Sequence, residues 1–139
     1  MAESYDVETA LTWSGDLRFS ARSEAAALEM DGDGKAGITP VQTLALSLLG
    51  CMSADVVHIL TKARLPISGL EARFSGVRAP ANPRRFTRIR LHFQVAGAVP
   101  AERVEHAIAL SRETYCSVWH SLSPDIELQT SFEIVPATS

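Results

Sequence analysis

Alternating apolar and polar residues mark both ends of the chain, and helical spacing fills much of the middle. Tyr5, Val7, Thr9, Leu11 and Trp13 alternate with Asp6, Glu8, Ala10 and Thr12, the period-2 signature of a half-buried strand. Turn chemistry at Ser14-Gly15-Asp16 leads into a returning strand over residues 17–21, and a third short strand is predicted over 27–30. The glycines and acids of residues 31–37 mark a loop. Thr39-Pro40 is a helix start, with threonine as cap and proline at the first helical position. From Val41 to about Ala63 the chain is apolar on nearly every side, which predicts a central, buried helix ended by Arg64-Leu65-Pro66. Leu70, Ala72 and Phe74 form one alternating strand and Ile89, Leu91, Phe93 and Val95 another, joined by the Pro- and Arg-rich turn 79–85. Pro100-Ala101-Glu102 opens a second helix with Val104, Ala107, Ile108 and Leu110, residues 115–122 read as a further helical segment, and Ser123-Pro124 breaks it. Ile126, Leu128, Thr130, Phe132 and Ile134 alternate in a last strand. The order β-β-β-α-β-β-α-α-β predicts an α+β fold with mainly antiparallel pairing and an apolar helix on the sheet.

Composition narrows the class. With 139 residues and 46% apolar content, one domain spanning 1–139 buries enough surface to fold without disulfide or metal staples. The net charge of −3 exerts no pull towards nucleic acid or an anionic membrane. Arg88 and Arg90, with Arg73, Arg84 and Arg85 nearby, read as a solvated strand face without the aromatic ladder of a single-strand binder. No uninterrupted apolar run approaches the ~20 residues of a membrane span, and Met-Ala-Glu-Ser-Tyr-Asp lacks the basic start and apolar stretch of a signal peptide. These features predict a cytoplasmic protein, where the two cysteines stay reduced unless redox chemistry is their purpose.

Those cysteines are the candidate chemistry. Cys51 lies mid-helix, and at 100° per residue Ser47, Asp55 and His58 fall near its direction, forming a polar seam in an apolar rod. A thiol and an acid in a core need partners; otherwise Cys51 is a small core residue while Asp55 and His58 reach the surface or pair with each other. Cys116 stands four residues before His120, on a shared helical face, and a near-terminal helical position can lower a thiol pKa; otherwise it is a packed cysteine with a surface histidine. Cys51, His58, Cys116 and His120 are adequate zinc ligands by type but lack the close Cys pairs of structural zinc sites, so no metal is expected.

The stretch Gly37-Ile38-Thr39-Pro40, the apolar run to Gly50-Cys51-Met52 and the following Asp55-Val56-Val57 resemble the central helix of the OsmC/Ohr family, and residues 110–118 around Cys116 resemble its second cysteine segment. The two motifs occur in order and within the expected elements, and the Asp-Val-Val places the chain nearer OsmC-like proteins than Ohr proper. The resemblance implies an OsmC-like fold, with an antiparallel sheet packed on two central helices, in an intertwined homodimer with sites at the interface. It implies a thiol peroxidase in which Cys51 attacks an organic hydroperoxide, Cys116 resolves the sulfenic acid as a disulfide, and a dithiol reductant closes the cycle without a cofactor. An arginine of the N-terminal meander would hold the thiolate, Arg18 by position with Arg22 as the alternative. The family's glutamate after the helix-opening proline has no counterpart, since Val41 and Gln42 follow Pro40. That departure motivates a second reading, a dimeric OsmC-like protein that binds a small apolar ligand in an interface pocket.

Overall fold

The computed structural model describes residues 4–65 and 67–137 and divides into two compact units, Met1–Leu44 and Ala45–Ser139. The N-terminal unit is a meander of β1 (Ala10–Gly15), β2 (Arg18–Ser23) and β3 (Ala26–Asp31), antiparallel in that order. Cross-strand register sorts its faces by chemistry. Leu11, Ala21 and Leu28 form one row and Trp13, Phe19 and Met30 a second, whereas Thr12, Ser20 and Glu29 stand on the opposite face, where the Ser20 hydroxyl donates to the Glu29 carboxylate at 2.8 Å. The first strand begins later than its alternation predicts. Ala10 is already opposite Arg22, near the end of β2, so the ladder begins after Tyr5 and Val7, whose side chains stand exposed.

The loop after β3 is organised by Asp31. Its buried carboxylate accepts backbone N–H groups of Asp33 (2.9 Å), Lys35 (3.2 Å) and Ala36 (2.9 Å). Gly37 passes so close to β3 that a Cβ there would lie 2.8 Å from the Glu29 carbonyl oxygen. Helix α1 (Pro40–Lys62) then starts on a reciprocal capping box. The Thr39 hydroxyl accepts from the Gln42 N–H and the Gln42 side-chain oxygen accepts from the Thr39 N–H, each at 3.0 Å. At its far end Leu65 N–H reaches the Leu60 carbonyl and Arg64 N–H the Thr61 carbonyl, with Arg64 left-handed at φ 60°, a Schellman closure. The helix thus stops by backbone geometry before Pro66, the predicted breaker, which lies outside the described residues.

The C-terminal unit is built on β4 (Gly69–Arg78), β5 (Phe86–Ala96) and β6 (Glu127–Val135) in that order. β4 and β5 are an antiparallel hairpin, whereas β6 runs parallel to β5. The chain returns to the end of the sheet where β5 begins through α2 (Ala101–Leu110), a π-helical turn (Ser111–Tyr115) and α3 (Ser117–His120), the long crossover that parallel pairing requires. The α+β class is as expected, with the strands in two three-stranded sheets, one of them mixed.

Ile89, Leu91, Phe93 and Val95 project from β5 into a core shared with Leu48, Met52, Val56 and Leu60 of α1 and Val104 and Ala107 of α2. The sheet's other face is solvated and ion-paired, as Arg88 Nε meets Glu127 Oε2 at 3.0 Å. The expectation of a helix buried on all sides needs correction: one face of α1 enters the core, while Leu46 and Val57 are 54% and 39% exposed. A single sheet covers only one stripe of a helix. Contrary to the expectation of no run of spanning length, the 23-residue α1 would by length and composition also suffice to cross a bilayer, although its Leu48, Met52 and Val56 side chains are spent on the core.

The Asp31 clamp gives the N-terminal unit a pH dependence. The Ala36 and Asp33 amides outweigh desolvation and hold the Asp31 carboxyl below its ordinary 3.8. A depressed folded-state pKa adds stability that is present above 3.8 and lost as pH falls through the folded value. Asp31→Asn is therefore expected to lower Tm at neutral pH, with the gap to wild type closing in acid; a gap independent of pH would contradict this role.

Candidate active site

Cys51 and Cys116 are 65 residues apart in sequence, and the fold of the C-terminal unit brings them together. Cys51 projects from the middle of α1, packed against the core yet only partly buried, and Cys116 is fully buried. Both are free thiols, and Cys51 lies within hydrogen-bonding and electrostatic reach of Cys116. The burial reverses the expectation of Cys51 in a buried seam and Cys116 at a helix edge, and matches the alternative of a packed Cys116 with a surface His120.

The reason lies in one residue of helical register. On α2, Val104, Ala107 and Ile108 face the core, and Ser111 continues that face. An unbroken α-helix would next bring Tyr115 inward, at about 20° from Val104, and leave Cys116 about 100° further round. Instead the turn closes with the i→i+5 bond from Cys116 N–H to the Ser111 carbonyl at 2.8 Å, and this π turn absorbs one extra residue. Tyr115 is consequently 58% exposed, and Cys116 takes the inward place with 0% exposure. The helical segment predicted over 115–122 is correspondingly interrupted: Cys116 is extended (φ −74°, ψ 98°) and caps the short α3, its sulfur accepting the Trp119 N–H at 3.3 Å. His120 is exposed, away from the buried thiol, although its N–H reaches the Cys116 carbonyl at 3.1 Å.

This placement sets the thiol's acidity. Burial pushes Cys116 up from 9.0 to about 11, opposed by the Trp119 amide and reinforced by Cys51 and the Asp55 charge. The lowered pKa anticipated from a helix terminus is overridden by desolvation, because one N–H contact does not replace the water removed from a thiolate.

The seam around Cys51 separates into different roles. Asp55 is half-buried and accepts the hydroxyl of the fully buried Ser111 at 2.7 Å, rather than pairing with His58. Asp55, His58, Ile59 and Lys62 of α1 line a groove of about 480 Å³ with Leu110 and Tyr115. Among the described residues no three His, Cys, Asp or Glu side chains converge as a metal site would require. Arg18 belongs to the N-terminal unit, on β2 opposite Asp31, and its guanidinium lies 3.7 Å from the Asp16 carboxylate. Gln42, at the position of the missing carboxylate, is committed to the capping box through its side-chain oxygen.

Residues 32–131 match the family described as OsmC-like protein. The chain belongs to the OsmC-like family. Protein YhfA of Escherichia coli K12 is 33% identical over 134 residues, covering 94% of this chain and all of YhfA. A hypothetical protein from Aquifex aeolicus superposes with a TM-score of 0.89 at 26% identity, over 97% of this chain and 100% of that one. An organic hydroperoxide resistance protein OsmC from Legionella pneumophila has the same fold, with a TM-score of 0.68 at 12% identity, over 95% and 99% of the two chains.

Within this OsmC-like site, sequence reasoning missed Ser111, which lies in the second cysteine segment. Counting helical turns from Val104 and Ile108 lands on Tyr115, so the cysteine falls one residue late for a regular helix, but nothing in that count points to Ser111. The thiols should differ sharply in reactivity. Iodoacetamide at pH 8 is expected to alkylate Cys51 of the native OsmC-like protein while Cys116 reacts only after unfolding, as peptide mass mapping would show; equal labelling of both in the native protein would contradict the assigned burial.

Proposed function

We propose that this OsmC-like protein is a two-cysteine peroxidase that reduces organic hydroperoxides. The observation that carries the reading is the pairing of a partly accessible thiol, Cys51, with a buried thiol within hydrogen-bonding reach, Cys116. In the first step the Cys51 thiolate attacks the terminal peroxide oxygen. An S–O bond forms, the O–O bond breaks, and the alkoxide leaves as the alcohol after taking a proton, so the sulfur is oxidised to sulfenic acid and the peroxide reduced. In the second step the Cys116 sulfur, as thiolate, attacks the sulfenic sulfur; the S–S bond forms and the hydroxyl leaves as water. A dithiol reductant, supplied by a cytoplasmic setting, exchanges with the disulfide and restores both thiols.

The high Cys116 pKa bears on the order of events. Part of it comes from Cys51 itself, and oxidation of Cys51 to the neutral sulfenic acid removes that opposition. The resolving thiol therefore ionises more readily after its partner has reacted than before. On the family resemblance, Arg18, with Arg22 as the alternative, is proposed to hold the Cys51 thiolate.

The active species is proposed to be a homodimer. In the N-terminal unit, Leu11 and Trp13 are 57% and 66% exposed on the apolar face, and no apolar side chain among the described residues of that unit is fully buried. A three-stranded sheet without a core of its own needs a covering surface, and α1 carries exposed leucine and valine besides. A second copy of the chain would supply the cover.

A second reading, binding of a small apolar ligand without turnover, is favoured by the Val41 and Gln42 positions, which offer no carboxylate to activate a thiolate. Cumene hydroperoxide with a dithiol separates the two. The wild type is expected to consume peroxide, Cys51→Ser to lose at least a thousandfold in rate, and Arg18→Ala to lose about a hundredfold, the lower end of the range for a single positioned donor. No consumption by the wild type would favour the binding reading, and turnover by Cys51→Ser would refute the nucleophile. Sedimentation should place the protein at twice its 15.0 kDa chain mass; a monomer at micromolar concentration would contradict the dimer.

A further inference from the structure

Cys51 and Cys116 lie within electrostatic reach of each other, and a second route links them. Asp55 lies four residues after Cys51, one turn along the same face of α1. Its Oδ2 accepts the Ser111 hydroxyl at 2.7 Å, and Ser111 in turn accepts the Cys116 N–H on its carbonyl at 2.8 Å. Ser111 is completely buried, so this bridge is shielded from competing water, and a hydrogen bond to a carboxylate is stronger than a neutral one. The bridge joins the helix that carries one thiol to the π turn that carries the other.

We propose that Asp55 and Ser111 form a clasp that positions Cys116 for disulfide closure with Cys51, making Asp55 a positioning residue for the second half of the redox cycle. The assignment extends the two-thiol reading but concerns closure of the pair alone, whichever oxidant starts it. The clasp has two separable effects. Its hydrogen bond fixes where Cys116 stands, and its charge opposes ionisation of Cys116, slowing closure at neutral pH. The other titratable groups around the carboxylate are His58 and Lys62 on α1 and Tyr115 on the π turn, which line the same groove, together with the two thiols.

Glutathione redox buffers test both effects without a hydroperoxide. The Cys51 thiolate attacks glutathione disulfide and releases one glutathione thiolate; Cys116 then attacks the Cys51 sulfur and releases the second, so the pair is oxidised as the glutathione disulfide is reduced. Equilibrium in such buffers gives the effective concentration of Cys116 at Cys51, and stopped reactions give the closure rate. Ser111→Ala, which removes the donor, should lower the effective concentration about tenfold. Asp55→Asn keeps an acceptor for Ser111 and removes the charge. It should preserve the effective concentration, speed closure severalfold at pH 7, and move the midpoint of the rate profile to lower pH, an effect that a purely structural hydrogen bond would not produce.

A Ser111→Ala variant with the wild-type effective concentration would overturn the proposal, and an Asp55→Asn variant with a superimposable pH profile would overturn its charge effect. If Ser111→Ala loses its cooperative thermal transition, Asp55→Ala, which removes the acceptor instead of the donor, decides by whether it shows the same roughly tenfold loss of effective concentration. A wild-type protein that closes in glutathione but consumes no hydroperoxide refutes the peroxidase reading and supports the clasp on the strength of the variants; one that never closes overturns the clasp.

Discussion

The π turn at Ser111–Tyr115 adds one residue between the inward face of α2 and Cys116, and the chemistry of the C-terminal unit follows from that addition. Without it, helical phase would carry Tyr115 into the core and turn the thiol away. With it, Cys116 is sealed in the core within reach of Cys51, and desolvation raises its pKa to about 11. A π turn has weaker geometry than a regular helix and persists where the surroundings support it. Here the support is visible at both ends, in the continuous apolar face Val104–Ala107–Ile108 behind it and the Asp55–Ser111 bond across it.

The core supplies the rigidity that a thiol pair needs. Disulfide closure tolerates little error in the separation of its two backbones, and both cysteines stand in the same hydrophobic cluster, between α1 and the elements that cover β5. The N-terminal unit is organised differently. Its strands are sorted cleanly into polar and apolar rows, but its one fully buried described side chain is the charged Asp31, which pins the loop before α1 through backbone amides. A sheet with an exposed Trp13 and Leu11 and a helix with an exposed Leu46 are incomplete hydrophobic surfaces in a single chain, which is the physical argument for a second copy.

Much of the scaffold was legible in the sequence because it rests on local rules. Alternation marked the strands, Thr39-Pro40 marked the start of α1, and the spacing of Val104, Ala107 and Ile108 marked the inward face of α2. The two cysteines and their order were also readable as a pair. The features that were not readable depend on tertiary context. Tyr5 and Val7 alternate like a strand but lie beyond the reach of β2. The parallel direction of β6 is set by a crossover rather than by its residues. The reversed burial of the thiols follows from a single-residue change of register that propensity does not encode. Ser111 gave no sign of its part because its partner Asp55 stands on a different helix, 56 positions away.

The central claim is that Cys51 and Cys116 work as a redox pair, and mass spectrometry after one equivalent of cumene hydroperoxide tests it most directly. The account predicts loss of two hydrogen masses from the reduced chain and, after proteolysis without reductant, a cross-linked peptide containing both cysteines within the same chain. Accumulation of sulfinic acid on Cys51 with Cys116 still a free thiol, or an unchanged mass with both thiols intact, would contradict it.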